Sequence, residues 1–123
     1  MQAANVISWF EIPASDLERA VWFYESVFEH SLKRDAMDGT EMAIFPSQQP
    51  GVGGCIAKSY NLHPAEGGSL VYLRTAEIDA TLHRVERAGG RILLNKTQLP
   101  DGMGYFAHIV DSEGNRIGLH SLQ

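Results

Sequence analysis

Hydrophobic residues recur at two different spacings along this 123-residue chain. In SDLERAVWFYESVF (15–28), Leu17, Val21, Tyr24 and Phe28 stand three or four residues apart, which is the spacing of one helix face. Ser15 opens the run and Glu18 follows three residues later, which predicts a capping box. EIDATLHRVERAGG (77–90) repeats the spacing with Ile78, Leu82 and Val85, and Gly89 and Gly90 predict its end. Leu17, Val21, Tyr24 and Phe28 map onto Ile78, Leu82, Val85 and Gly89 at a constant offset of 61. An offset near half the chain length points to an internal duplication.

The flanks repeat as well. An extended segment precedes each helix, VISWFEI (6–12) and SLVYLRT (69–75), and three more follow it. These are SLKRD, TEMAIFP and GGCIAKS in the first half and RILLNK, GYFAHIV and NRIGLHS in the second. Each is short, partly β-branched or aromatic, and bounded by turn signals such as Asp38-Gly39, Pro50-Gly51, Asp101-Gly102 and Glu113-Gly114-Asn115. The prediction is an α+β chain of tandem βαβββ modules, one at about 5–60 and one at about 69–122, forming a single domain over 1–123. NLHPAEGG (61–68), with its proline and glycines, is the expected linker. Gly118 interrupts the last strand, and a strand glycine marks a bulge or a close approach by another group.

Composition narrows the partners. With 44% apolar residues the chain can build one core of ordinary size. Its net charge of -5 and the lack of any lysine or arginine run remove the electrostatic footprint of nucleic-acid or acidic-membrane binding. One cysteine, Cys55, excludes an intrachain disulfide and fits a reducing compartment. MQAANVISWF has neither a basic n-region nor a long apolar h-region, and no apolar run approaches a membrane span. A cytoplasmic location is expected.

Two motifs, D-L-x-x-A-x-x-F-Y at Asp16 to Tyr24 and D-x-x-G-N-x-I at Asp111 to Ile117, resemble those of the vicinal oxygen chelate superfamily. That group includes glyoxalase I, bleomycin-resistance proteins and extradiol dioxygenases. The resemblance spans nearly the whole chain and implies a glyoxalase-like fold, in which curved mixed sheet encloses a cleft and the helices lie outside. It also implies, in many members, a divalent metal held by His and Glu from the first and last strands of each half. Such a metal acts as a Lewis acid and requires imidazole or carboxylate donors.

Carried onto this chain, the four ligand positions fall on Ile7, Ile56, Leu70 and Gly118, and none supplies a donor. A register slip of one residue brings in only Cys55. No cofactor is therefore expected. Glycine at position 118 removes the carboxylate and leaves room beside Arg116 and His120. Among the histidines, His30, His63 and His83 read as surface residues.

Strand alternation groups the remaining cleft candidates. Trp9 and Glu11 on the first strand, Tyr72 and Arg74 on its repeat, and Arg116 and His120 on the last strand share the parity of Ile7, Leu70 and Gly118. They are the expected ligand-binding set, with rings for stacking and guanidinium groups for a carboxylate or phosphate. Glu11 and His120 are the candidates for acid–base work. Glu11 can equally pair with Arg74 or Arg116 as a purely structural ion pair. His108 and Tyr105 have opposite parity, and the sequence leaves open which faces inward. Cys55 reads as a small buried residue, not a nucleophile.

The function that best fits is a homodimeric, metal-free binding protein for a small aromatic or anionic molecule, of the bleomycin-resistance kind. Two alternatives stay open: a glyoxalase-type lyase or dioxygenase with a displaced metal at Glu11, His108 or His120, and an accessory subunit whose cleft is only a dimer seam.

Overall fold

A computed structural model describes residues 5–48 and 50–123. The order of elements is β1 (Trp9–Pro13), α1 (Leu17–Phe28), β2 (Lys33–Met37), β3 (Thr40–Ile44) and β4 (Gly53–Lys58), then β5 (Val71–Arg74), α2 (Ile78–Arg87), β6 (Arg91–Gln98), β7 (Tyr105–Val110) and β8 (Arg116–Ser121). This is the expected strand, helix, three strands, twice. The sheet surface comes as two four-stranded mixed sheets, β1-β4-β3-β2 and β5-β8-β7-β6, which form no closed barrel among the described residues. In each, the strand before the helix pairs in parallel with the last strand of its module.

β1 begins at Trp9, later than the apolar run that starts at Val6. The reason is pairing: among the described residues β4 is the only neighbour of β1, and its first residue, Gly53, already lies opposite Trp9. Residues before Trp9 have no ladder to join.

Both helices turn their apolar faces onto the sheets. Leu17, Ala20, Val21, Phe23, Tyr24 and Val27 of α1 are buried, as are Ile78, Thr81, Leu82 and Val85 of α2. Together with Ile12, Ile56, Ile109, Ile117 and Leu119 they form one core that spans both modules. Burying a side chain of this size contributes about 1.5–3 kcal/mol. Where α2 ends, a Cβ on Gly90 would stand 2.8 Å from the ring of Phe23, so glycine lets the two helices approach.

The expected capping box at Ser15 and Glu18 is not what starts α1. The cap is Asp16, whose carboxylate accepts from the Arg19 amide at 3.1 Å. Glu18 instead pairs with Arg34. The amides of Ser15 and Asp16 donate to Oε1 of Glu113, both at 2.9 Å, so the back-bonding carboxylate comes from the other module. Arg19 joins the same carboxylate at 2.7 Å.

The D-x-x-G-N turn between β7 and β8 is thus a fastener. Asp111 accepts from the Tyr24 hydroxyl, the amides of Glu113 and Asn115, and the Asn115 side chain. Asn115 donates to the Pro13 carbonyl at 2.7 Å and accepts from the Ala65 amide at 3.1 Å, tying β1 and the linker to the second module.

Candidate functional site

The side of each sheet away from the helices is not alike in the two modules. In the first, Met42, Cys55 and Ala57 make a small buried cluster against which Ile44 and Leu62 pack. A bridge between Ser59 and Leu62 holds that cover in place. In the second, Tyr72, Arg74, Phe106, His108, Arg116 and His120 stand on the corresponding face, while Ile109, Ile117 and Leu119 point into the core.

Alternation corrects one of the four metal-ligand positions. Ile56 lies in the core beneath α1 and is fully buried; its neighbour Cys55 occupies the face away from the helix, opposite Glu11 in the parallel pair. The offset between modules is odd on the strands, so a carry-over by 62 residues lands on the wrong face. Burial, together with the charge of Glu11, pushes the Cys55 thiol up to about 11, against a smaller opposing hydrogen bond from Trp9. A thiol held protonated is a poor ligand and a poor nucleophile. With Ile7, Leu70 and Gly118 in the other places, the residues present do not fit a divalent metal there. Among the described residues, no three His, Cys, Asp or Glu side chains converge on one point.

Gly118 does not open a vacancy. It lies opposite Tyr72 on β5, and a Cβ there would come 2.4 Å from the Tyr72 ring. The space is filled by an aromatic side chain that lies across the glycine. Gly54 makes a similar close contact on the opposite, core-facing side of the first sheet, where a Cβ would come 2.3 Å from the ring of Phe10.

A cleft of about 430 Å³ on the second sheet is lined by Tyr72, Arg74, Leu99, Met103, Phe106 and His120. Three of the six sequence-predicted ligand residues, Tyr72, Arg74 and His120, therefore meet in one place. Trp9 is not among its lining residues and is 44% exposed. Glu11 and Arg116 line a different cavity, of about 220 Å³, beneath the linker. No ion pair joins Glu11 to Arg74 or Arg116 among the described residues.

Both ring nitrogens of His108 and one of His120 are committed. Nε2 of His120 donates to the Met103 carbonyl at 2.8 Å, since a carbonyl only accepts, and this ties the strand to the 99–104 turn that walls the cleft. His108 faces the cleft side with Phe106, while Tyr105 packs on the core and receives Lys96 over its ring at 4.3 Å. His108 Nε2 lies 2.7 Å from the Tyr72 hydroxyl, and its Nδ1 is 3.0 Å from Arg116 Nη2 and 3.3 Å from Nε. Burial and the Arg116 charge hold the His108 pKa below the ordinary imidazole value. Sequence parity leaves open which of His108 and Tyr105 faces inward; the pairing of β7 with β8 places His108 on this face, together with Phe106, which the sequence reading does not single out.

The sequence profile of a large family matches residues 6–119. This chain belongs to the Glyoxalase/Bleomycin resistance protein/Dioxygenase superfamily. A "Glyoxylase-like domain-containing protein" from Didymella fabae is 30% identical over 120 residues, covering 89% of this chain and 88% of that protein. Among solved structures of the superfamily fold, TnmS3, an antibiotic binding protein from a Streptomyces species, superposes with a TM-score of 0.72 at 24% identity, covering 98% of both chains. A glyoxalase I variant from Zea mays superposes at 0.71 with 21% identity over 93% of this chain. The chain spans 46% of that maize protein, so it matches about half of it. The superfamily therefore accounts for the fold, and the side chains in the cleft must decide the chemistry.

Proposed function

We propose that this superfamily member is a metal-free binding protein of the bleomycin-resistance kind, which holds a small aromatic, anionic molecule on its second sheet and works as a cytoplasmic homodimer. The observation that carries the reading is the lining of one cleft: Tyr72 and Phe106 offer ring faces, Leu99 and Met103 apolar walls, and Arg74 a guanidinium able to grip a carboxylate at two points. The absence of donors at Ile7, Leu70 and Gly118 favours binding without a resident metal. That TnmS3 is an antibiotic binding protein of the same fold is consistent with it.

Protein purified without chelator is expected to carry no stoichiometric divalent metal, and aromatic carboxylates are expected to raise its melting temperature. A ligand at a hundred times its dissociation constant stabilises the native state by about 2.7 kcal/mol. About one tightly bound Ni, Zn, Mn or Fe per chain would overturn the reading. So would turnover of a methylglyoxal–glutathione adduct or a catechol switched on by an added divalent ion, which would point to a displaced site at Glu11, His108 or His120.

A further inference from the structure

Tyr72, Gly118 and His108 lie side by side on three neighbouring strands: Tyr72 pairs with Gly118 across β5 and β8, and His108 pairs with Gly118 across β8 and β7. Adjacent strands are about 4.8 Å apart, so the outer two residues are separated by roughly two spacings. Their side chains meet, at 2.7 Å, because the residue between them has none.

The direction of that hydrogen bond follows from its other end. A guanidinium has no acceptor, so Nδ1 of His108 must accept from Arg116 and carries no proton. The neutral ring then holds its proton on Nε2 and donates it to the Tyr72 oxygen. The proton of the Tyr72 hydroxyl cannot point at His108, and no other partner receives it among the described residues. Tyr72 lines the cleft and is 47% exposed, with Arg74 two residues along on the same face.

We propose that Tyr72 is an oriented hydrogen-bond donor whose phenolic proton is aimed into the cleft by the chain Arg116–His108–Tyr72, and that the ligand it meets is an aromatic carboxylate or a related aromatic oxyanion. This rests on the cleft being the binding site proposed above. Arg116 and His108 are positioning residues: neither lines the cleft, and their part is to fix which way the tyrosine donates. A ligand group that can only donate would have to share the Tyr72 oxygen with His108 and would leave the phenolic proton unused.

The test uses two probes, 2-naphthoate and 2-methylnaphthalene, titrated into the wild type and Tyr72→Phe, with nitrogen NMR of the His108 ring in the free wild type. The expected result is a pyridine-type Nδ1 and a protonated Nε2. Tyr72→Phe should weaken 2-naphthoate by at least about tenfold, because a hydrogen bond to a charged acceptor is lost, and change 2-methylnaphthalene by less than about twofold. A protonated Nδ1 in the wild type overturns the inference whatever the ligand, and so does unchanged 2-naphthoate binding by the variant. Binding of 2-methylnaphthalene alone by the wild type overturns the oxyanion assignment but leaves an aromatic cleft. Binding of neither probe overturns the cleft reading itself.

Discussion

Gly54 and Gly118 each lie beneath an aromatic ring from the parallel neighbour, but on opposite faces of their sheets, Gly54 on the core face with Ile56 and Gly118 on the cleft face with His120. The ring of Phe10 over Gly54 packs on Phe45 at 5.8 Å between centroids and lies partly buried against the core, whereas that of Tyr72 over Gly118 is half exposed. A methyl added at either position collides with the ring at 2.3–2.4 Å from the new Cβ. Tyr72 can swing toward solvent; Phe10, packed between Phe45 and the core, has less freedom and pushes on those neighbours. Overpacking of a filled core costs about 1–3 kcal/mol. Gly54→Ala should therefore lower the urea midpoint more than Gly118→Ala, while Gly118→Ala should separate the Tyr72 hydroxyl from His108. Equal destabilisation by the two variants would contradict this account. The sequence exposes Gly118 as an anomaly within a strand but not its cause, because the ring that covers it is set by the register of β5 against β8, and register is not written in the spacing of hydrophobic residues.

The elements were legible and their fasteners were not. Helical periodicity marks α1 and α2 because each needs only its own face to bury. The capping of α1 fails as a local pattern because the carboxylate that serves Ser15 and Asp16 belongs to Glu113, nearly a hundred residues away. Burial pushes the Glu113 carboxyl up, but the hydrogen bonds from Arg19, the Asp16 amide and Ser112, with the charge of Arg19, outweigh it and hold the group below its ordinary value. A carboxylate depressed on folding contributes stability above its unfolded pKa of about 4.3, and that contribution is lost as pH falls through the lower folded value. The wild type should thus lose stability steeply on acidification below about pH 4.3, and Glu113→Gln should lose less over the same range while starting from a lower midpoint. Urea denaturation from pH 7 downward reads both slopes; parallel slopes would remove Glu113 from the acid response. Asp111 is 4% exposed and accepts from Tyr24 of the other module as well as from its own turn. Removing an acceptor shared by several buried donors costs about 2–4 kcal/mol, which is the expected loss for Asp111→Ala.

At the scale of the whole molecule, the duplication read from the sequence yields equivalent positions in two modules but not which of them face a common space. Strand parity therefore groups Trp9 and Glu11 with Tyr72 and Arg74, although the cleft of about 430 Å³ draws on the second pair alone. The same separation leaves apolar surface uncovered: Ile7 is 58% exposed, Trp9 44%, Tyr72 47% and Met103 57%. Single exposed apolar residues are ordinary, but rings and aliphatics gathered on the open faces of two sheets are the kind of surface that a second copy covers. A stable interface buries about 1,200–2,000 Å² in total. Sedimentation equilibrium at micromolar concentration should give twice the chain mass, and Trp9→Glu should shift it toward the monomer, since a carboxylate placed at a covered position would be desolvated without a partner. Because Trp9 is outside the cleft lining, the variant separates two roles for the exposed rings. If Trp9→Glu monomerises the protein and a naphthoate probe still binds, the cleft is complete within one chain; if both are lost together, the second copy supplies part of the site. A wild type that sediments as a monomer would refute the dimer outright and leave the exposed rings to the ligand alone.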